Sequence, residues 1–267
     1  MYFISSRVNL DNEDRIAAKD TYWNVTVKRG MATKRKRISR SEFSAAMRKK
    51  YVLLLVHGYN NEFEDVVRSY DIIRRNTKVH LARYYDEVVG YTWPGGDDPL
   101  DWYGAKRRAG SVGARFGHLL NSLSSRATVV DVMSHSLGAR VVFKGLQVSS
   151  RNAVRANFMM ASAVDNESVE RGEKYYRPMR RASESVIFYT KHDYVLRYGY
   201  RAAEWDRALG HSGPENPGAI VAHSPTVTVA NCKRVVHSHG AYKTSVAVYR
   251  FLNDWLRGRV SEQFVTL

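Results

Sequence analysis

Apolar residues in this chain fall into short blocks between polar turns, and the spacing within the blocks alternates between strand and helix. Residues 2–7 and 22–28 are short β-branched and aromatic runs around a polar, acidic stretch at 11–20. They predict strands at the antiparallel edge of a larger sheet. Residues 51–56 (Tyr51-Val52-Leu53-Leu54-Leu55-Val56) are apolar without a break, as expected of a central parallel strand covered on both faces. Runs at 88–93, 129–133, 155–164 and 185–190 predict further strands, and residues 220–230, broken by Pro225, supply the last strand pattern.

Helical spacing fills the gaps. Phe63, Val66, Val67, Tyr70 and Ile73 share one side of 62–74, and Val248, Phe251, Leu252 and Trp255 share one side of 244–256, the last ordered element expected. Residues 100–123 are helical in character despite Gly104, Gly110, Gly113 and Gly117, glycines that allow close helix packing. Ser39 or Ser41 can cap a short helix running to Lys50. This alternation predicts one α/β domain over residues 1–267, a doubly wound, mostly parallel sheet flanked by helices, with every strand's carboxyl end on one edge. Ligands bind along that edge. The polar, basic stretch 166–182 is expected to be a lid excursion over it.

The chain is organised around residues 129–143. An apolar strand runs into Ser134-His135-Ser136-Leu137-Gly138, and an apolar helical segment follows at once. Small residues two before and two after Ser136 suit a strained strand-to-helix turn that exposes its hydroxyl above the sheet. The Leu137 amide then lies at a helix N-terminus, where it can donate to a developing oxyanion. After the strand at 51–56, Gly58 lets the loop turn back, so that the amide of Tyr59 or Asn60 can be a second donor. His57 reads as a hydrogen-bonding partner within that loop. Trp93 opens a turn cluster reaching Pro99 and either lines the pocket or packs in the core.

With Val56-His57-Gly58-Tyr59-Asn60-Asn61, Trp93-Pro94, Ser134-His135-Ser136-Leu137-Gly138, Tyr189-Thr190-Lys191-His192-Asp193 and His239 in this order, the chain resembles the α/β-hydrolase superfamily over nearly its whole length. More narrowly it is similar to a functionally uncharacterised bacterial branch of serine hydrolases. The resemblance implies Ser136 as nucleophile, followed by acid and then histidine. His239, in the loop after the last strand and before Gly240, is the expected base, with His237 the alternative. The resemblance favours Asp193 as the acid, with Asp165 the alternative. Asp131, inside a strand, is either a partner of the site or a satisfied core polar group. Such a set attacks a carbonyl carbon, and resemblance makes an ester the expected substrate.

Charge adds a second theme. The net charge is +16, and residues 28–50 hold ten basic side chains against one acid, Glu42. That segment would attract anionic lipid or nucleic acid, or is a solvated loop on a basic protein. The one cysteine, Cys232, excludes an internal disulfide and reads as a small packed residue. No metal-ligand spacing and no glycine-rich phosphate cradle is visible, so no metal or cofactor is expected. With no signal peptide and no long apolar span, a cytoplasmic location is the expectation. Three readings follow: a soluble carboxylesterase on a small-molecule ester, a phospholipase or lipase docking on anionic membranes, and a non-catalytic hydrolase-fold protein binding a partner or nucleic acid through residues 28–50.

Overall fold

A computed structural model describes residues 1–267 except Asp97 and Pro99, so the turn cluster after Trp93 lies partly outside the described residues. The strands are β1 (Tyr2–Arg7), β2 (Ile16–Lys28), β3 (Met31–Ile38), β4 (Tyr51–Val56), β5 (Glu87–Thr92), β6 (Val129–His135), β7 (Ala156–Met160), β8 (Glu184–Tyr189), β9 (Val227–Asn231) and β10 (Phe264–Thr266). The helices are α1 (Arg40–Ala46), α2 (Phe63–His80), α3 (Trp102–Ser124), α4 (Gly138–Val148), α5 (Tyr176–Met179), α6 (Arg201–Glu204), α7 (Leu209–Ser212), α8 (Pro217–His223) and α9 (Val246–Leu256).

All these strands form one sheet in the order β10-β9-β8-β7-β6-β4-β5-β1-β2-β3. From β10 to β1 each neighbouring pair is parallel, and only β1–β2 and β2–β3 are antiparallel. This is the mostly parallel α/β sheet that the alternating pattern predicts. Val52 through Val56 of β4 are buried, because β5 and β6 flank the strand and helices cover both faces. α3 and α4 pack closely where small residues meet: a Cβ on Gly117 would stand 2.5 Å from the Gly145 carbonyl oxygen.

Four local expectations are corrected. The basic run at 34–37 is strand rather than loop: β3 pairs with β2 from Lys28↔Met31 to Tyr22↔Ile38. Its sequence lacks apolar alternation because it is the sheet's edge, where charge is tolerated and blocks pairing with another chain. The helix that follows ends at Ala46, four residues short of Lys50, with Ser39 as its cap and Glu42 completing a capping box. The pattern at 220–230 splits into α8 and β9, since the turn around Pro225 separates a helix opened by Asn216 and Pro217 from a true strand. Finally, α9 is not the last element, because β10 adds in parallel to β9.

The 166–182 segment is anchored through Val169, Tyr175 and Met179, which are buried, and Tyr175 stacks on Phe143 of α4 at 4.6 Å. Asp131 is a satisfied core group: it accepts from Tyr85 Oη at 2.6 Å, Arg155 Nε at 3.0 Å and Ala156 N at 2.9 Å. Cys232 is buried, and burial pushes its thiol up to about 12.

Candidate active site

The turn between β6 and α4 holds Ser136 at φ +54°, a left-handed conformation that costs a non-glycine residue about 1–3 kcal/mol. Three bonds fix it there. Its N–H donates to the Met160 carbonyl at 3.0 Å, and its own carbonyl accepts from Ala163 and Ala139, each at 3.1 Å. Small neighbours are required because β4 ends against this turn. A Cβ on Gly138 would stand 2.4 Å from the His57 carbonyl oxygen, and one on Gly58 would stand 2.8 Å from Ser136 Cβ. α4 starts directly after Leu137 with no side-chain cap, leaving the positive end of the helix beside the serine turn.

The loop after β4 is held by groups on neighbouring strands. His57 Nε2 accepts from the Trp93 amide at 3.1 Å, so the proton resides on Nδ1, which donates to the Gly58 carbonyl at 2.8 Å. Burial, reinforced by the charge of Arg7, keeps the His57 pKa well below the usual imidazole value. Trp93 is fully buried, and its indole donates to the His57 carbonyl at 2.9 Å, so it packs and braces the loop and does not line the cavity. Arg7, at the end of β1, is also fully buried. It donates to the carbonyls of Asn61 at 2.8 Å and Trp93 at 3.2 Å, and pairs with Glu13 at 3.1 Å. The sequence reading missed it, since one arginine ending a strand carries no pattern.

Asp193 follows β8 and His239 follows β9. His239 Nδ1 lies 2.7 Å from Asp193 Oδ2, with the carboxylate side chain fully buried and the imidazole one-fifth exposed. The Leu196 amide donates to the other carboxylate oxygen at 3.0 Å. A carboxylate only accepts, so Nδ1 carries a proton, and Nε2 is the nitrogen that bears the lone pair in the neutral ring. From the other side, His135 Nε2 donates to the His239 carbonyl at 2.8 Å, and the two rings stand 4.5 Å apart. Burial and the neighbouring His239 lower the His135 pKa to about 3. His135 also escaped the sequence reading, although it stands between the two serines of the motif.

The remaining candidates sit elsewhere. Asp165 accepts from the Tyr200 hydroxyl at 2.5 Å, in a network with Arg140. His237 is exposed and its ring faces His192 at 5.3 Å. Tyr59 and Asn60 both line the cavity with Ser136, but the Asn60 amide is directed to the Gly95 carbonyl at 3.4 Å. That cavity has a volume of about 250 Å³ and is lined by Ser136 and His239 together with Tyr70, Met133, Met160 and Lys243. Among the described residues, no group of histidine, cysteine or acidic side chains is arranged to hold a metal ion.

The model of the family described as "Alpha/beta hydrolase of unknown function (DUF900)" matches residues 35–245. The chain belongs to that family. A comparison with curated proteins finds no match. Among solved structures, this DUF900 hydrolase is similar to a poly(3-hydroxybutyrate) depolymerase from Bordetella parapertussis, with 11% identity, 91% of this chain and 88% of that one covered, and a TM-score of 0.50. A Xanthomonas campestris pv. campestris protein classed in the alpha/beta hydrolase superfamily aligns over 78% of this chain and 98% of its own, at 16% identity and a TM-score of 0.42. At such identities the likeness concerns the fold alone.

Proposed function

We propose that this protein is a serine hydrolase that cleaves a small carboxylic ester, with Ser136 as nucleophile, His239 as base and Asp193 as the acid that orients it. The observation that carries this reading is the 2.7 Å bond from His239 to the buried Asp193, in a cavity whose wall includes both Ser136 and His239. Buried and paired, Asp193 fixes the imidazole with Nε2 as its basic nitrogen and stabilises the imidazolium that forms.

In this mechanism Ser136 Oγ attacks the carbonyl carbon while its proton passes to His239 Nε2. The carbonyl oxygen becomes an oxyanion and accepts from the amides of Leu137 and Tyr59. Of the two loop amides, Tyr59 is favoured because that of Asn60 is directed to Gly95. Collapse breaks the ester C–O bond, and His239 returns the proton to the departing alkoxide. Water then attacks the acyl-enzyme, His239 takes its proton, and the acid leaves as Ser136 Oγ is reprotonated. A volume of about 250 Å³ lies just below the range of roughly 300–1,000 Å³ typical of ligand pockets, which favours a small substrate.

A second reading, action at anionic membranes, draws on the sheet edge. Arg37, Arg40, Arg115 and His118 line one depression, and Arg40, Arg48 and Arg126 line another beside it. Arg35 is paired with Asp11 and Glu64, whereas Lys34, Lys36 and Arg37 are exposed.

The decisive test is intact-mass analysis after fluorophosphonate treatment of wild type and Ser136→Ala. One phosphonyl adduct mapped to Ser136 and absent from the variant is expected, together with ester turnover that the variant loses. Undiminished turnover by Ser136→Ala would sink the mechanism.

A further inference from the structure

The cavity beside Ser136 carries more hydrogen-bonding capacity than ester hydrolysis uses. Tyr242 is fully buried, yet among the described residues its hydroxyl has no partner within the protein. Tyr242 lines the cavity. A buried hydroxyl without a partner is costly, so its retention points to an acceptor that a ligand supplies.

The second group is a cation. Lys243 lines the same cavity, and its Nζ donates to Ser69 Oγ at 3.0 Å. It stands against the loop that carries His239, 3.9 Å from where a Cβ on Gly240 would lie. Its charge reaches the His135 ring, and burial lowers its own pKa. Among the described residues it forms no ion pair, and Asp65, whose charge it feels, is bridged to Arg68 at 2.9 Å. The surrounding wall is largely apolar, with Leu55, Ile73, Met133 and Met160, and an ammonium in such a setting attracts an anion far more strongly than it would in water.

We propose that Lys243, with the hydroxyl of Tyr242, forms an anion-recognising subsite of this cavity, and that the substrate is a small ester bearing one carboxylate or phosphate within a few atoms of the scissile carbonyl. This rests on the serine-hydrolase reading. The ammonium supplies the charge, the Tyr242 hydroxyl supplies a donor for the anion's oxygens, and the small cavity keeps the anion close to Ser136. A neutral ester of the same shape leaves these donors unpaired and is disfavoured.

The experiment measures kcat/KM for paired esters on wild type, Lys243→Met and Lys243→Arg, with fluorophosphonate labelling of Ser136 in each. One pair places the charge on the acyl side, monoethyl glutarate against ethyl hexanoate. The other places it on the alcohol side, acetylated glycerophosphate against glycerol monoacetate. Wild type is expected to favour the anionic member of one pair by about ten- to a hundredfold, mostly through KM, and the favoured pair identifies the anion's source. Lys243→Met should collapse that ratio, and Lys243→Arg should restore part of it. If Ser136 is labelled but neither pair shows a preference, or the preference survives Lys243→Met, the subsite is overturned while the hydrolase reading stands. If wild-type Ser136 takes no label and neither pair is cleaved, the hydrolase reading fails and the subsite with it.

Discussion

His135 donates from Nε2 to the main-chain carbonyl of His239 at 2.8 Å, so the residue just before Ser136 holds the backbone of the imidazole proposed as its base. The bond ties the end of β6 to the loop after β9, elements brought together only by the sheet. On the proposed mechanism His135 acts as a positioning residue. In His135→Ala, kcat should fall about ten- to a hundredfold with a much smaller change in KM, as expected when a base is misplaced by a fraction of an ångström. His135→Gln, which keeps a donor, should recover part of the loss. Equal kcat values for wild type and His135→Ala would remove the residue from this role.

The two acids can be separated by isosteric substitution. Asp193→Asn should lower kcat by about 10³–10⁴-fold, because the amide no longer stabilises the imidazolium or fixes its tautomer. Asp165→Asn, whose carboxylate serves Tyr200, should cost less than about tenfold. The opposite ranking in steady-state kinetics would move the acid role to Asp165.

Acid lability follows from the buried imidazoles. The His135 pKa falls from its ordinary 6.5 to about 3, and that of His57 is lowered in the same direction, in both cases chiefly by burial. Below 6.5 the unfolded chain takes up protons that the folded chain refuses. For His135 the stabilisation is therefore complete above 6.5 and is lost as pH falls toward 3, at about 1.4 kcal/mol per pH unit, and His57 acts in the same direction. Urea midpoints taken near pH 7.5 and near pH 5 should drop accordingly, whereas equal midpoints would mean that these rings titrate normally.

Strain at Ser136 predicts a trade between activity and stability. Ser136→Gly places at φ +54° a residue that adopts this conformation freely, so the variant should gain on the order of 1 kcal/mol while losing turnover. Ser136→Ala keeps the strain and should gain little. Thermal melts of the two variants side by side would show it, and a less stable Ser136→Gly would contradict it.

If the basic edge docks on lipid, co-sedimentation with vesicles containing phosphatidylserine should be strong at low salt and should weaken steeply as salt rises past physiological strength. Replacing Arg37, Arg40 and Arg48 with Gln should reduce it. Binding that matches neutral vesicles at every salt concentration would leave those side chains the role of guarding a sheet edge.

The linear chain determined the parts whose signal is local. A six-residue unbroken apolar run ending at His57-Gly58 fits a strand covered on both faces, as β4 is, and small residues on either side of Ser136 mark a turn that bulkier ones would not fit. The α/β class follows from the alternation of such runs with helical spacing, and the placement of Ser136, Asp193 and His239 after β6, β8 and β9 follows from their order along the chain. Tertiary structure decided what depends on partners distant in sequence. β3 and β10 have too little apolar pattern to announce themselves and exist because β2 and β9 offer them hydrogen bonds. Arg7 and His135 act across 54 and 104 residues of chain, and the Tyr242 hydroxyl, without a partner among the described residues, has meaning only once the cavity is built. Pairing between distant segments depends on a residue's complement in space, and no local periodicity records it.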